Sequence, residues 1–424
     1  MKRGNQKRTT RSSHRPNRRG SVRRSGPAVS AGISETWRRA RFRMPTPRRN
    51  TRADATPTSL DGAIAASAAL LATLGVVMVY STTAPLSMGS AIPPHFLRHL
   101  AGLGLGIVII AVAIRIPLTW WYRFAIPMWA TGVLLLLLTA LVGIEAHGAR
   151  RWLAIPGLNV SFQAAEFVKW ATPVAVASIL TGAAASESRR RFRLTLLISA
   201  VPVGLLLMQP DLGSTAVLLA LVGLVLFVGG VSMRRLGSLA GVAAIGVACF
   251  IAARPYALAR WKGFLAPWQN ARAEGFQLVQ SFVAFGRGGT FGVGLGDGRQ
   301  KLSYLPEAHT DFILSVVAEE LGLVGVLIVL GAFAGLVLAG LRVAARAQDP
   351  FTQLVACAMT GFLTIPAAVN AAVVMGLLPT TGFTLPFVSY GSNSLVMCAL
   401  ALGILLRIAG HGAHAPKTGR GGLG

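Results

Sequence analysis

Residues Asp311–Leu341 read DFILSVVAEELGLVGVLIVLGAFAGLVLAGL, and the reading of this run decides the fold. Acids stand at Asp311, Glu319 and Glu320, and from Leu321 to Leu341 no charged residue follows. A helix crosses the hydrocarbon of a bilayer with roughly 20 apolar residues. Lipid offers no water to peptide groups, so such a run must be helical. The stretch is longer than one crossing requires, which implies tilt or projection past the bilayer.

Further apolar runs lie on either side, near 61–81, 99–118, 124–144, 166–182, 194–208, 212–231, 236–254, 354–378 and 388–408. With the first run they predict an all-α polytopic membrane protein of about ten transmembrane helices, with a large extracytoplasmic loop, 255–310, between helices seven and eight. Composition agrees. Only 13% of the 424 residues are charged and 53% are hydrophobic, against about 25% charged in a soluble domain. Short cytoplasmic loops collect Lys and Arg. Arg115 and Arg123, the cluster Arg189, Arg190, Arg191 and Arg193, then Arg234 with Arg235, Arg342 with Arg346, and Arg407 fall on alternate connections. Both termini are therefore expected in the cytoplasm. Trp120, Trp121 and Tyr122 fit an interfacial aromatic belt.

Three regions follow: a disordered basic cytoplasmic tail over 1–58, a transmembrane domain over 59–410 and a short cytoplasmic tail over 411–424. The net charge is +27, and residues 1–52 hold 17 Lys and Arg with one acid, Glu35. Basic tails often bind nucleic acid. This one is tied to a membrane span, so it reads as an arm near anionic lipid, with no nucleic acid as partner. A specific partner site on the tail is the other reading. Trp37–Arg43 could rest on the lipid surface, and no signal-peptide pattern follows the charges. Cys249, Cys357 and Cys398 lie in apolar runs without a CxxC pair and read as reduced, buried, small hydrophobes. The seven histidines show no metal-ligand spacing.

Acids are few enough to weigh singly. Asp311 opens the quoted run, with Thr310 as its expected N-cap and the helix N-terminus expected to hold the carboxylate ionised, as a general base requires. Asp311, Ser315 and Glu319 share one helix face. Such a stripe lines a wet cavity, or else Asp311 caps the helix and Glu319 enters a structural ion pair. Glu166 and Lys169 can pair at i, i+3. In Gln209-Pro-Asp-Leu-Gly213 a tight turn is expected, with Asp211 capping the next helix. The Gly-rich segment Gly286–Gly298 fits neither GxGxxG nor GxxxxGK[ST] spacing; it reads as a closely packing loop with backbone donors for an anion. Ser389-Tyr-Gly-Ser-Asn-Ser394 is unusually polar for the start of a span and either lines a cavity or caps the helix. Positive charge at Arg150, Arg151, Arg260, Lys262, Arg272, Arg287, Arg299 and Lys301 would suit a polyanionic substrate, although long loops cross regardless of charge.

Several phrases occur in an order and spacing that resemble the SEDS family (shape, elongation, division and sporulation): Gly148-Ala-Arg-Arg-Trp152, Phe162-Gln163 with Glu166 and Lys169, Gln209–Gly213, Ala284-Phe-Gly-Arg-Gly288, Gln300-Lys-Leu, Tyr304-Leu-Pro-Glu-Ala-His-Thr-Asp-Phe312, Glu319-Glu-Leu-Gly322, Leu378-Pro379 and Ser389-Tyr-Gly391. They span residues 60–408 and look closer to the FtsW branch than to RodA. The resemblance implies a peptidoglycan glycosyltransferase that polymerises lipid II at the outer face of the bacterial cytoplasmic membrane during cell division. A class B penicillin-binding protein and other divisome proteins would be its partners. It makes Asp311 the base that deprotonates the attacking sugar hydroxyl. Substrate contacts are expected from Arg150, Arg151, Glu166, Lys169, Gln209, Asp211, Lys301, Glu307, His309, Thr310 and Ser389. Arg150, Arg151 and Lys301 are the cations expected at the leaving pyrophosphate. The resemblance makes no cofactor certain and leaves a divalent cation possible.

The chain departs from the family pattern at Ala164-Ala165, where Pro-Ser is usual, at Thr381 in place of a Lys, at Ser392-Asn393, at Ser303 and at His147. Thr381 removes one expected cation. Two alternatives remain at this stage. A lipid II flippase also places ionisable groups in a helical bundle, and a non-catalytic division scaffold needs no base. Polar residues gathered at the outer helix ends, and no interrupted helices in matching halves, favour the enzyme.

Overall fold

The computed structural model describes residues 62–87, 92–146, 149–154, 161–182 and 188–412. Both tails, His147 and Gly148 lie outside the described residues. The apolar runs are helices α1 (Gly62–Thr83), α2 (Pro94–Arg115), α3 (Leu118–Val142), α4 (Ala164–Thr181), α5 (Ser188–Met208), α6 (Leu212–Val228), α7 (Met233–Ala253), α10 (Ile313–Arg346), α11 (Pro350–Val374) and α12 (Ser392–Gly412). Among the described residues eight are long and apolar enough to cross a membrane: α1, α2, α3, α5, α7, α10, α11 and α12. The chain is a multi-pass membrane protein. Helix α6 is apolar but 17 residues long, and α4 carries Glu166 and Lys169 in its first turns.

Helices α4, α11 and α12 form the centre. Fourteen of the 18 residues of α4 are buried, among them Val168, Trp170 and Ala171. By contrast α7 has no buried residue. Cys249 on α7 is accordingly exposed, contrary to expectation, while Cys357 and Cys398 are buried. Trp121 also departs from the expected belt: it is buried, with its ring 5.7 Å from that of Trp170. Only Trp120 and Tyr122 of that triplet face outward.

The α3–α4 connection holds a small antiparallel sheet of β1 (Ile144–Ala146), β2 (Ala149–Ala154) and β3 (Ser161–Phe162), with β2 in the middle. Glu145 pairs with Arg150 and Leu153 with Phe162. The segment expected as one large loop contains α8 (Pro255–Leu265) and α9 (Phe276–Gly288), then a wide helical turn at Gln300–Tyr304.

The quoted run is not one continuous helix. Gly322 sits at φ +67°, ψ −163°, which breaks α10 after Leu321. A helix broken at membrane depth must find other partners for its freed peptide groups. The Gly-rich segment supplies them. Leu323 N donates to Gly289 O, Val324 N to Thr290 O, Val293 N to Glu319 O and Gly294 N to Glu320 O. A Cβ at Gly288 would collide with the Ala318 carbonyl, and one at Gly292 with that of Glu320. The glycines are there so that one backbone can lie directly on another.

Candidate active site

Asp311 does not sit where the sequence placed it. The helix starts two residues later, with Phe312 at the N-cap and no side-chain cap. Thr310 is not a cap: its hydroxyl donates to Glu307 Oε2 at 2.7 Å. Residues 307–312 form a turn of their own, closed by Thr310 N and Phe312 N donating to Glu307 O, with Glu307 at φ +56°.

Side chains from two later elements clamp this turn. Asn370 of α11, 2% exposed, donates its amide to Asp311 O at 2.6 Å and to Phe383 O at 2.5 Å. Ser389 Oγ donates to Thr310 O at 2.6 Å and accepts from Leu385 N at 2.7 Å. Tyr390 N donates to His309 O. Ser389 is therefore a buried brace. Gly382, at φ +77°, lies against the Asp311 carboxylate, and a Cβ there would stand 3.3 Å from Oδ2. The rings of His95, His309 and Tyr390 gather beside the turn, with centroids 5.2–5.7 Å apart.

The carboxylate of Asp311 is half-buried in this clamp, and its pKa is pushed up to about 7. Desolvation is the main cause; Glu307 adds to it and Arg260 opposes it. The expectation that the helix N-terminus would hold the group firmly ionised is thus corrected: burial outweighs the dipole. A carboxylate titrating near neutrality still suits proton abstraction, because base strength rises with pKa. Burial and His95 hold His309 below its ordinary value, against the opposing pull of Glu307.

The other expected site residues divide. Glu166 and Lys169 pair at 2.6 Å, and the ammonium lies 5.2 Å from the Phe383 ring centre. They stand one side chain behind the 381–383 segment. Arg151 is engaged, with Nε on Gln209 O at 3.3 Å and Nη2 on Pro210 O. Gln209 donates to Leu136 O, and Asp211 caps α6 by accepting from Ser214 N at 2.9 Å. Arg150 is exposed on β2. Lys301 is 5% exposed and pairs with Glu320 at 2.6 Å, also donating to Ser81. Nor does the shared face of Ser315 and Glu319 open to a cavity. Ser315 bonds Ser281 at 2.7 Å, and Glu319 accepts from Arg287, Arg299 N and Gln300 N. Of the Gly-rich segment's backbone, Gly296 N donates to the Glu320 carboxylate, while Glu319 is held by the Arg287 side chain and by peptide groups just beyond the segment.

One residue of this site was missed by sequence reasoning, and a second was named without being singled out. Asn370 was legible as a lone amide inside an apolar run, which marks a functional position by default. Arg260 was one of many basic residues without a distinguishing pattern. It donates to Thr380 O at 3.1 Å, one residue from the position where the expected lysine is replaced by Thr381. Asn370→Ala is expected to leave two carbonyls short of a donor, at about 1–3 kcal/mol each. A lowered melting temperature of the purified protein would register it, and an unchanged one would show the clamp to be weak.

Residues 62–414 match the cell cycle protein family FtsW/RodA/SpoVE. A Trichlorobacter lovleyi protein named probable peptidoglycan glycosyltransferase FtsW is 40% identical over 361 residues, covering 82% of this chain and 93% of its own length. An Allochromatium vinosum protein of the same name is 41% identical over 350 residues, covering 80% and 86%. Two solved structures share the fold at 29% identity. One is a chain from a study of how a peptidoglycan synthase complex coordinates polymerization and crosslinking, with TM-score 0.70 over 84% of this chain and 100% of that one. The other is the rod shape determining protein RodA of Thermus thermophilus, with TM-score 0.62 over 83% and 97%.

Proposed function

The chain belongs to the FtsW/RodA/SpoVE family of cell cycle proteins, and from that premise we propose that it is a peptidoglycan glycosyltransferase of cell division with Asp311 as its general base. The observation that carries the reading is the clamped, desolvated carboxylate of Asp311, titrating near neutral pH at the head of α10. Perturbed carboxylates in preorganised surroundings gather at catalytic sites.

The substrate is lipid II. The 4-hydroxyl of one sugar attacks the anomeric carbon of a second. The C–O bond to undecaprenyl pyrophosphate breaks, the anomeric centre inverts and the hydroxyl proton passes to Asp311. One base suffices, because the pyrophosphate leaves already charged. Arg260, Arg150 and Arg151 are the cations available to it, since their bonds go to main-chain carbonyls and leave the charge unneutralised, whereas Lys301 is paired with Glu320. The transition state gains from cations that are in place before charge develops. Asn370 and Ser389 hold the base, and Glu166 with Lys169 supports the 381–383 segment from behind. With α4 and α6 counted, ten crossings put both termini in the cytoplasm and the Asp311 end of α10 outside. A class B penicillin-binding protein is the partner that cross-links the product.

The purified chain with such a partner and labelled lipid II is expected to yield glycan polymer; lipid scrambling without polymer would assign transport instead. The rate should fall as pH drops through about 7, because the base is lost to protonation. Glu307→Gln removes a neighbouring negative charge and should move that limb to lower pH. Arg260→Gln removes a positive one and should move it to higher pH. Limbs that stay in place in both variants would disconnect Asp311 from the rate.

A further inference from the structure

A cavity of about 860 Å³ opens beside the last two turns of α1 and is used by none of the chemistry above. Its apolar wall includes Val77, Tyr80 and Leu302, and its polar wall includes Arg287, Arg299 and Asp297. Glu320, just behind it, stands seven residues into α10 from Ile313, or about 10 Å from the helix start at the helical rise. The end of α1 beside the cavity carries a half-exposed tyrosine, a residue type enriched at membrane borders, and we take the cavity to lie at that level.

Charge accounting narrows the ligand. Arg287 is held by Glu319 and Lys301 by Glu320, and each carboxylate also accepts peptide N–H groups. Arg299 and Asp297 remain at the rim, both exposed, and neither forms an ion pair with a described residue. The three cations are balanced by Asp297, Glu319 and Glu320. A polyanion such as a pyrophosphate would bring uncompensated charge into a half-enclosed space, which is costly. A head group with one phosphate and one ammonium matches both rim charges and keeps the sum at zero. Guanidinium binds phosphate through paired N–H groups, and the carboxylate suits a primary ammonium that can donate hydrogen bonds.

We propose that this cavity is a binding site for a zwitterionic phospholipid of the phosphatidylethanolamine class, with its phosphate on Arg299, its ammonium on Asp297 and its acyl chains along Val77, Tyr80 and Leu302. Occupancy ties the Gly-rich segment to α1.

Native mass spectrometry of the full-length chain in detergent tests this, with equimolar dioleoyl phosphatidylethanolamine, phosphatidylcholine and phosphatidylglycerol. The wild type should retain the ethanolamine lipid roughly 3-fold over the choline lipid, the scale of one partly exposed ion pair. Asp297→Asn should erase that preference, and Arg299→Gln should lower retention of both. Both side chains are exposed, and unchanged melting temperatures would certify the folds. Asp311→Asn should bind as the wild type does, so the result stands apart from the catalytic reading. A preference for phosphatidylglycerol, equal retention of ethanolamine and choline lipids by the wild type, or an ethanolamine preference that survives Asp297→Asn would each overturn the assignment.

Discussion

Asp311→Asn is expected to stop productive glycan synthesis, with the rate of polymer formation from lipid II falling by about 10²–10⁴-fold, the usual contribution of a positioned general base. The amide has the size and shape of the carboxylate, so the contact with Gly382 survives. The bond from Asn370 also survives, because it goes to the main-chain carbonyl of residue 311. What disappears is the capacity to take a proton. Stability gives the control. The folded-state pKa of Asp311 is raised from 3.8 to about 7, chiefly by burial. Ionising a group with a raised pKa costs the folded state, and the cost is absent below the ordinary pKa and complete above the raised one. At pH 8 the wild type bears that cost and the Asn variant does not. The variant should therefore melt no lower than the wild type at pH 8 while making no polymer. Polymer from the variant would remove Asp311 from the chemistry; a variant melting well below the wild type would mean the residue is structural.

The helices were legible because lipid leaves an apolar run no other choice. What stayed hidden was every contact made over long sequence separations. Leu321-Gly-Leu323 reads as unbroken apolar helix, and only the arrival of residues 288–294 makes the break at Gly322 tolerable. Thr310 and Asp311 fit the pattern of a cap and first turn. The positive φ at Glu307, and the Thr310 hydroxyl turned toward its carboxylate, delay the helix by two residues. The β2 strand places Arg150 and Arg151 on opposite faces, so one is exposed while the other braces the Gln209–Pro210 turn. Asp211 was read correctly because a cap is a local device that needs only the next three residues.

Lys301 is the residue for which sequence and structure disagree most usefully, and its replacement carries the largest expected effect on stability. As a substrate cation it would wait in water for a pyrophosphate. Instead its ammonium lies 2.6 Å from Glu320 and 2.8 Å from Ser81, with 4% of the lysine side chain and none of the glutamate exposed. Removing one partner of a buried pair strands the other charge, at a cost of about 3–5 kcal/mol. Lys301→Met should therefore lower the melting temperature sharply in the purified protein. Replacing both partners by apolar residues of similar volume is often nearly neutral, since neither charge then needs desolvation. Lys301→Met combined with Glu320→Met should thus recover much of the loss, offset by Ser81 Oγ and Gly296 N, which would lose Glu320 as acceptor. The double variant separates structure from chemistry. A brace predicts that glycan polymerisation returns along with stability. A substrate cation predicts a stable double variant whose KM for lipid II stays raised, because the positive charge is still missing.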